Sequence, residues 1–251
     1  MSGGGRLAGR IALITGASHG LGAAIARRFA AEGAQLVLLG RSAAALEEVD
    51  DAVRTASGGS GATLVPFDLR DYEAIDRLGG TLYERHGRLD VLVGNAGLLG
   101  TLTPLAHIEP KEWEEVLAAN LTANWRLIRS MDPLLRLSPA GRAVFVTSGA
   151  ARGPRAYWGT YAVSKAALEM LAGIYAAETI KTAVRVNLVD PGRLRTRMRA
   201  RAYPGEDPAG VPEPDSATEA FVALAEAACT RHGEIVQPQK ATDRPLLATE
   251  R

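Results

Sequence analysis

Thr15-Gly16-Ala17-Ser18-His19-Gly20-Leu21-Gly22 is the stretch that decides the fold. The aliphatic run Ile11-Ala12-Leu13-Ile14 leads into it, and Leu21, Ile25 and Phe29 follow at helical spacing. This order of strand, glycine-rich turn and helix suits a phosphate. The glycines let the backbone approach a pyrophosphate, and the helix start offers free N–H groups and a positive dipole end. A glycine-rich run alone marks any turn; its place after the first strand and before the first helix gives it the phosphate-binding reading. The candidate contacts are Gly16, Ser18, His19, Gly20, Leu21 and Gly22.

Short aliphatic runs recur at Leu36-Leu39, Thr63-Pro66, Leu89-Val93, Ala143-Thr147 and Val184-Leu188. None shows polar alternation, which is how strands buried on both faces read. Between them lie helical stripes: Leu46, Val49 and Val53; then Trp113, Val116, Leu117, Leu121, Ile128 and Met131; then Leu168, Leu171, Ile174 and Tyr175. Alternating strand and helix predicts right-handed crossovers and an α/β fold, a Rossmann-type doubly wound parallel sheet of six to seven strands with helices on both faces. No low-complexity linker interrupts it, so residues 1–251 read as a single domain. Residues 1–7 read as a mobile tail, and residues 238–251 as a loosely ordered one. Ser216 to Ala228 read as helical.

Hydrophobic residues make up 47% of the 251, enough for a full core, and aromatics only 5%, so that core is aliphatic. A formal net charge of +1 gives no reason to expect nucleic acid or a membrane surface as partner. The one cysteine, Cys229, makes no internal disulfide and no paired-cysteine metal site, and fits a reducing cytoplasm. No metal is expected. The start lacks an apolar signal-peptide core and no run is long enough to span a membrane, so the expected location is cytoplasmic.

The loop spacing is TGxxxGxG rather than GxGxxG, and in this the chain resembles the short-chain dehydrogenase/reductase family. Independent motifs carry the same resemblance. Asn95-Ala96-Gly97 follows the fourth strand, where small residues let the chain pass beneath a cofactor; as a bare tripeptide it is only a turn. Asp68-Leu69 ends the third strand, and Asp68 matches the family's adenine contact, while Asp71 reads as a helix cap. A site selective for NAD places an acid about 20 residues past the loop. Here Leu39-Gly40-Arg41-Ser42 has none, and Arg41 stands where a 2′-phosphate would, with a guanidinium able to bond it bidentately. NADP(H) is therefore expected over NAD(H), against the plainer reading of Arg41 as a solvated cation. His19, where NADP-preferring members often carry a second basic residue, leaves that second contact undecided.

Tyr161-Ala162-Val163-Ser164-Lys165 puts Tyr161 and Lys165 on one face of a helix. A tyrosine titrates near 10, and a neighbouring ammonium favours the phenolate, which makes an acid/base usable at neutral pH. Such a pair is common by chance. Ser148 stands 13 residues before Tyr161, and Asn120, on an otherwise apolar stripe, 28 before Ser148. These spacings match the family's Asn, Ser, Tyr, Lys tetrad. The resemblance implies that Tyr161 exchanges a proton with a carbonyl or alcohol oxygen, that Ser148 orients that oxygen, and that Lys165 lowers the tyrosine's pKa and holds the nicotinamide ribose. It implies that Asn120 holds a water linking Lys165 to solvent. It also implies cofactor contacts at Tyr161, Lys165, Pro191, Gly192 and Thr196, and an NADP-dependent oxidoreductase interconverting a carbonyl and an alcohol. The competing reading is a dinucleotide-binding sensor that has lost catalysis; such proteins usually lack the Tyr or the Lys. Asp190 departs from the Asn many members carry before the Pro-Gly turn.

Residues 193–214 fall in the family's substrate-covering region. Their arginines at 193, 195, 197, 199 and 201 read as a solvated lid in preference to an anion site, and their prolines argue against one continuous helix. Tyr157, Trp158, Leu98 and Leu99 are candidates for an apolar pocket, a core or an interface. The helices bearing Asn120 and Tyr161 form the dimer face in the family, so a homodimer or homotetramer acting on a small-molecule substrate is expected. Asn95 to Gly100 and Met198 to Pro208 look most like a little-characterised bacterial branch.

Overall fold

β1 (Ile11–Thr15) is buried along its whole length between two parallel neighbours, β2 (Gln35–Gly40) and β4 (Val91–Gly94). The computed structural model describes residues 5–239 and the backbone of residues 244–245. Beyond β2 lies β3 (Thr63–Pro66), and beyond β4 lie β5 (Arg142–Val146), β6 (Arg185–Val189) and β7 (Glu234–Val236), all parallel. The order is β3-β2-β1-β4-β5-β6-β7, with a two-residue β8 (Arg244–Pro245) antiparallel on β7. The chain thus winds outward from β1 in one direction, returns, and winds outward from β4 in the other. The reversal opens a crevice at the carboxyl ends of β1 and β4, the place where open α/β sheets bind ligands.

Alternate strand residues feed two cores. Ala12 and Ile14 of β1 join Leu21, Ile25 and Phe29 of α1 (Gly20–Ala31), Leu46, Val49 and Val53 of α2 (Ala43–Ser57) and Phe221 of a C-terminal helix, Thr218–Ala225. Ile11 and Leu13 face the other way, onto Ile75 and Leu82 of α3 (Tyr72–His86) and the helices that follow it. This period of two, with both faces apolar, is why the strands read as unbroken aliphatic runs. α4 (Pro110–Leu117) passes through a π-helical turn, Ala118–Thr122, into α5 (Ala123–Leu137); α6 (Gly159–Thr179) lies beside them. α7 (Arg197–Ala202) is short and is followed by 3-10 turns, as the prolines after it require, and Thr218–Ala225 is α8.

Several expectations need correction. The tail is not mobile through residue 7: Leu7 is fully buried, its N–H bonds Glu32 O at 2.9 Å, and Arg6 pairs with Glu219 and Glu226. Residues 1–4 lie outside the described residues, as does most of the expected loose C-terminal tail. Within that tail Arg244–Pro245 pairs antiparallel with β7 as a two-residue edge strand, beside seven parallel strands, within the expected six to seven. The last helix stops at Ala225, three residues early, and Arg142 caps the chain beyond it by donating to the carbonyls of Glu226, Ala227 and Cys229. Ile174 is exposed, while Tyr175 beside it enters the core.

Candidate active site

The glycine-rich loop is held from below by β4. Thr15 Oγ1 accepts from the N–H groups of Asn95 (3.0 Å) and Ala96 (3.1 Å), and Asn95 Nδ2 donates to the carbonyls of Thr15 and Gly16. Gly16 has φ +63°, and a Cβ there would stand 2.8 Å from Ala96 Cα. A Cβ on Gly22 would stand 2.2 Å from Gly16 O, so Gly22 packs behind the loop instead of lining the cleft. α1 begins with no side-chain cap and no acid in its first turn. Its first N–H groups and dipole end therefore suit an anion. The cleft above has a volume of about 550 Å³.

At one end of the cleft stand Arg41, Asp68, Leu69 and Arg70. Arg70 was not singled out in the sequence. It donates to both Asp68 oxygens, and these bonds, with Arg41 farther off, hold the Asp68 carboxyl below its ordinary range. Burial, then Arg197 and Arg41, pushes the His19 imidazole below its usual value. His19 is therefore neutral at pH 7, and the two guanidiniums acting on it, Arg197 and Arg41, have no carboxylate bond of their own among the described residues.

At the other end the tetrad residues converge. The π-helical turn carries Asn120 into the interior, where it is fully buried. Its Oδ1 accepts from Leu98 N–H at 2.7 Å, and its Nδ2 donates to Leu98 O and to Ser164 Oγ, both at 2.9 Å. Asn120 thus stands behind the cleft and clamps the segment after Asn95-Ala96-Gly97. Gly97 lies between Asn120 and Lys165: a Cβ on it would stand 3.3 Å from Asn120 Oδ1 and 3.5 Å from Lys165 Nζ. Tyr161 and Lys165 line the cleft one turn apart on α6, and Ser148, in the turn after β5, lines it with them. Lys165 Nζ lies 5.9 Å from the Tyr161 ring centroid and donates to Val146 O at 2.8 Å. Burial lowers the Lys165 ammonium to about 8. Burial also pushes the Tyr161 phenol up, against the Ser148 hydrogen bond. The expected lowering of the tyrosine by Lys165 is not seen: desolvation raises the phenol, and the Asp190 charge adds to the rise.

Pro191 and Gly192 (φ +72°) turn the chain over the cleft, and Thr196 caps α7, accepting from Arg199 N–H at 3.1 Å. Asp190 is buried at 6% exposure and accepts from Arg152 and Gln237. The arginine run is not simply solvated: Arg193 and Arg199 pair with Glu206 and Arg195 with Glu213, while Arg197, Arg199 and Arg201 line the cleft. Trp158 meets Tyr161 edge-on at 5.9 Å and Tyr203 at 5.9 Å, and Leu98 and Leu99 complete an apolar wall. Tyr157 is outside that wall, 59% exposed, with φ +72°.

A family model described as short chain dehydrogenase matches residues 10–207. The chain belongs to the short-chain dehydrogenase family. Membership makes it an NAD(P)-dependent oxidoreductase. It is 38% identical over 201 residues to the uncharacterized oxidoreductase YciK of Escherichia coli (strain K12), covering 79% of each chain. It is 35% identical over 207 residues, 78% of this chain and 75% of the relative, to an uncharacterized NAD-dependent oxidoreductase of Mycobacterium tuberculosis (strain H37Rv). A solved short chain dehydrogenase from Escherichia coli CFT073, complexed with NADPH, superposes with a TM-score of 0.90 at 34% identity, covering 95% of this chain and all of that one. The expectation of a little-characterised bacterial branch is met by the first of these.

Proposed function

We propose that this short-chain dehydrogenase interconverts a carbonyl and an alcohol with NADP(H), using Tyr161 as acid and base. The observation that carries the reading is the convergence of Ser148, Tyr161 and Lys165 at one end of a cleft whose other end holds Arg41. Uncapped N–H groups at the start of α1 fit a pyrophosphate between those ends. Arg41 fits a 2′-phosphate, and the Escherichia coli CFT073 neighbour's NADPH supports that choice over NAD(H).

A bound nicotinamide supplies or accepts the hydride. The chain's own residues handle the proton and the geometry. Ser148 holds the reacting oxygen against Tyr161, whose hydroxyl gives or takes the proton. Lys165, buried and one turn away, holds the ribose and supplies positive charge as Tyr161 ionises. Asn120 fixes the backbone at Leu98 under that charge; a water linking Lys165 to solvent beside it is part of the proposed role. Pro191, Gly192 and Thr196 close over the nicotinamide half. Leu98, Leu99, Trp158 and Tyr203 favour a substrate with an apolar or aromatic group beside its carbonyl.

Val163, Met170 and Ile174 make an exposed apolar stripe along α6, with Trp125 exposed on α5. This supports pairing of two copies through these helices, on a single domain per chain. No helix among the described residues is long and apolar enough to cross a membrane; the lone thiol Cys229 suits a cytoplasmic location. Tyr161→Phe tests the central assignment. NADPH-dependent reduction across a carbonyl panel is expected to fall by a factor of about 1,000 or more, while NADPH binding by fluorescence stays within about twofold. Retained turnover refutes the role of Tyr161.

A further inference from the structure

One guanidinium, that of Arg152, lies between the buried carboxylate of Asp190 and the partly buried one of Glu169, behind the reacting end of the cleft. Its Nη2 donates to Asp190 Oδ2 and its Nη1 to Glu169 Oε1 at 3.2 Å. The arginine side chain is only 16% exposed, Glu169 12% and Asp190 7%. Each partner stands on a different part of the active site. Arg152 ends the turn that begins at Ser148. Glu169 is one helical turn beyond Lys165 on α6 and accepts from Thr147 Oγ1 at 2.8 Å, next to Ser148. Asp190 opens the Pro191-Gly192 turn, and its Oδ1 accepts from Gly192 N–H at 3.2 Å. Gln237, beyond β7, donates to Asp190 Oδ2 at 2.9 Å.

We propose that Arg152 and Asp190 are positioning residues for the oxidoreductase reaction: their ion pair, shared with Glu169, fixes the Ser148 turn, the Tyr161 helix and the Pro191-Gly192 turn in one register, and the guanidinium offsets part of the Asp190 charge near Tyr161. The inference rests on Tyr161 as the acid/base. Asp190 is a residue type the resemblance does not lead one to expect at this position, and an unpaired carboxylate buried there would be costly. It also acts on the chemistry, because its negative charge is felt at Tyr161 and opposes formation of the phenolate. The groups facing Tyr161 are Ser148 from the turn after β5, Lys165 from its own helix and Asp190 from the end of β6. Those facing Asp190 are Arg152, Gln237 and Tyr161, with Glu169 reached through Arg152. Removing the guanidinium while keeping Asp190 exposes Tyr161 to the full carboxylate charge. Removing the carboxylate frees Tyr161 of it and leaves Arg152 paired to Glu169.

The test reads Tyr161 directly and needs no substrate. Absorbance at 295 nm is titrated for the parent, Asp190→Asn, Arg152→Met and the double variant, each minus its Tyr161→Phe counterpart, over the pH range in which circular dichroism stays native. The Asp190→Asn midpoint is expected to fall by about one pH unit, and Arg152→Met to rise by about as much or leave the native range. The double variant is expected to return to the Asp190→Asn value. Arg152→Lys keeps the charge without the fork, so its midpoint stays near the parent's, while its kcat for NADPH-dependent reduction of 9,10-phenanthrenequinone falls roughly tenfold at unchanged KM for NADPH. Equal midpoints in parent and Asp190→Asn, or shifts of Asp190→Asn and Arg152→Met in the same direction, overturn the proposal. A Tyr161 that titrates as expected in a protein without turnover overturns the proposed reaction and leaves the pair's effect standing.

Discussion

Replacing Arg41 by alanine separates the two nicotinamide cofactors. Four basic residues line this part of the cleft, and Arg41 is the one that follows β2 beside Asp68 without a carboxylate bond among the described residues. Burial and two neighbouring guanidiniums keep His19 neutral at pH 7. Arg70 is bonded to both oxygens of Asp68. Arg197 stands on α7, at the loop that follows β6. Arg41 follows Gly40 at the end of β2, and a Cβ on Gly40 would stand 3.3 Å from Ser18 of the glycine-rich loop, so the guanidinium rises beside the phosphate path. A hydrogen bond between charged groups contributes roughly 1.5–3 kcal/mol, and the exposure of Arg41 places it at the low end. At about 1.4 kcal/mol per factor of ten, Arg41→Ala should weaken NADPH binding by about 10- to 30-fold. NADH lacks the 2′-phosphate, so its affinity should change by less than about twofold. Titrating the fluorescence of each reduced cofactor against both proteins gives the four dissociation constants. Equal loss for NADH and NADPH, or none for NADPH, refutes the assignment of Arg41.

Asn120→Ala leaves Leu98 N–H, Leu98 O and Ser164 Oγ short of partners; at about 1–3 kcal/mol per lost buried bond a fall in Tm of several degrees by calorimetry is expected. Lys165→Met gives a pH signature. Because burial lowers the folded-state pKa of Lys165 to about 8, below its unfolded value, its charge destabilises the fold below that pH, and the cost is relieved as pH rises from about 8 toward 10.5. The methionine variant should therefore gain most over the parent at pH 7 and least near pH 10; a Tm difference that stays constant or widens with pH counts against it. Tyr157→Gly removes a side chain held at φ +72° on the surface, which costs on the order of 1 kcal/mol, so Tm should rise by about 2–4 °C in differential scanning calorimetry.

The parts of the fold and site that were legible in the sequence are those whose signal is local. The loop from Thr15 to Gly22 has to obey turn and helix-start chemistry within eight residues. The strands announced themselves because burial on both faces leaves no polar alternation. Tyr161 and Lys165 share one helical turn, and the cleft gathers them with Ser148 as the spacing implied. What escaped depends on groups far apart in the chain. Asp190 stood out as an unexpected acid, but its partner Arg152 is 38 residues earlier, and no pattern in either segment pairs them. Leu7 is buried because Glu32 and the last helix reach back to residues 5–7. α3 was absent from the helical stripes although Ile75, Leu78 and Leu82 are correctly spaced, for Gly79-Gly80 interrupts it with the weakest helix formers after proline. The reason for Gly79 is tertiary: a Cβ there would stand 2.4 Å from Ser130 Oγ on α5.

The bonds from Thr15 and Gly16 to Asn95 and Ala96 join residues about 80 apart in sequence. The phosphate loop is therefore synthesised well before its support and is among the last motifs to acquire its shape. While the chain grows, β1 and β2 can pair, but the support beneath Gly16 is missing until β4 has crossed back and docked on the other side of β1. Closing so long a loop is slow, and the open edge of β1 stays available for wrong pairings meanwhile. In pulsed hydrogen-exchange during refolding, the amides of Asn95 and Ala96 should become protected together with those of β1 on the β4 side, after the β1–β2 pairs. A nucleotide that needs this loop would then bind the completed half-sheet and add its affinity to the stability of the last long-range step, and not to any earlier one.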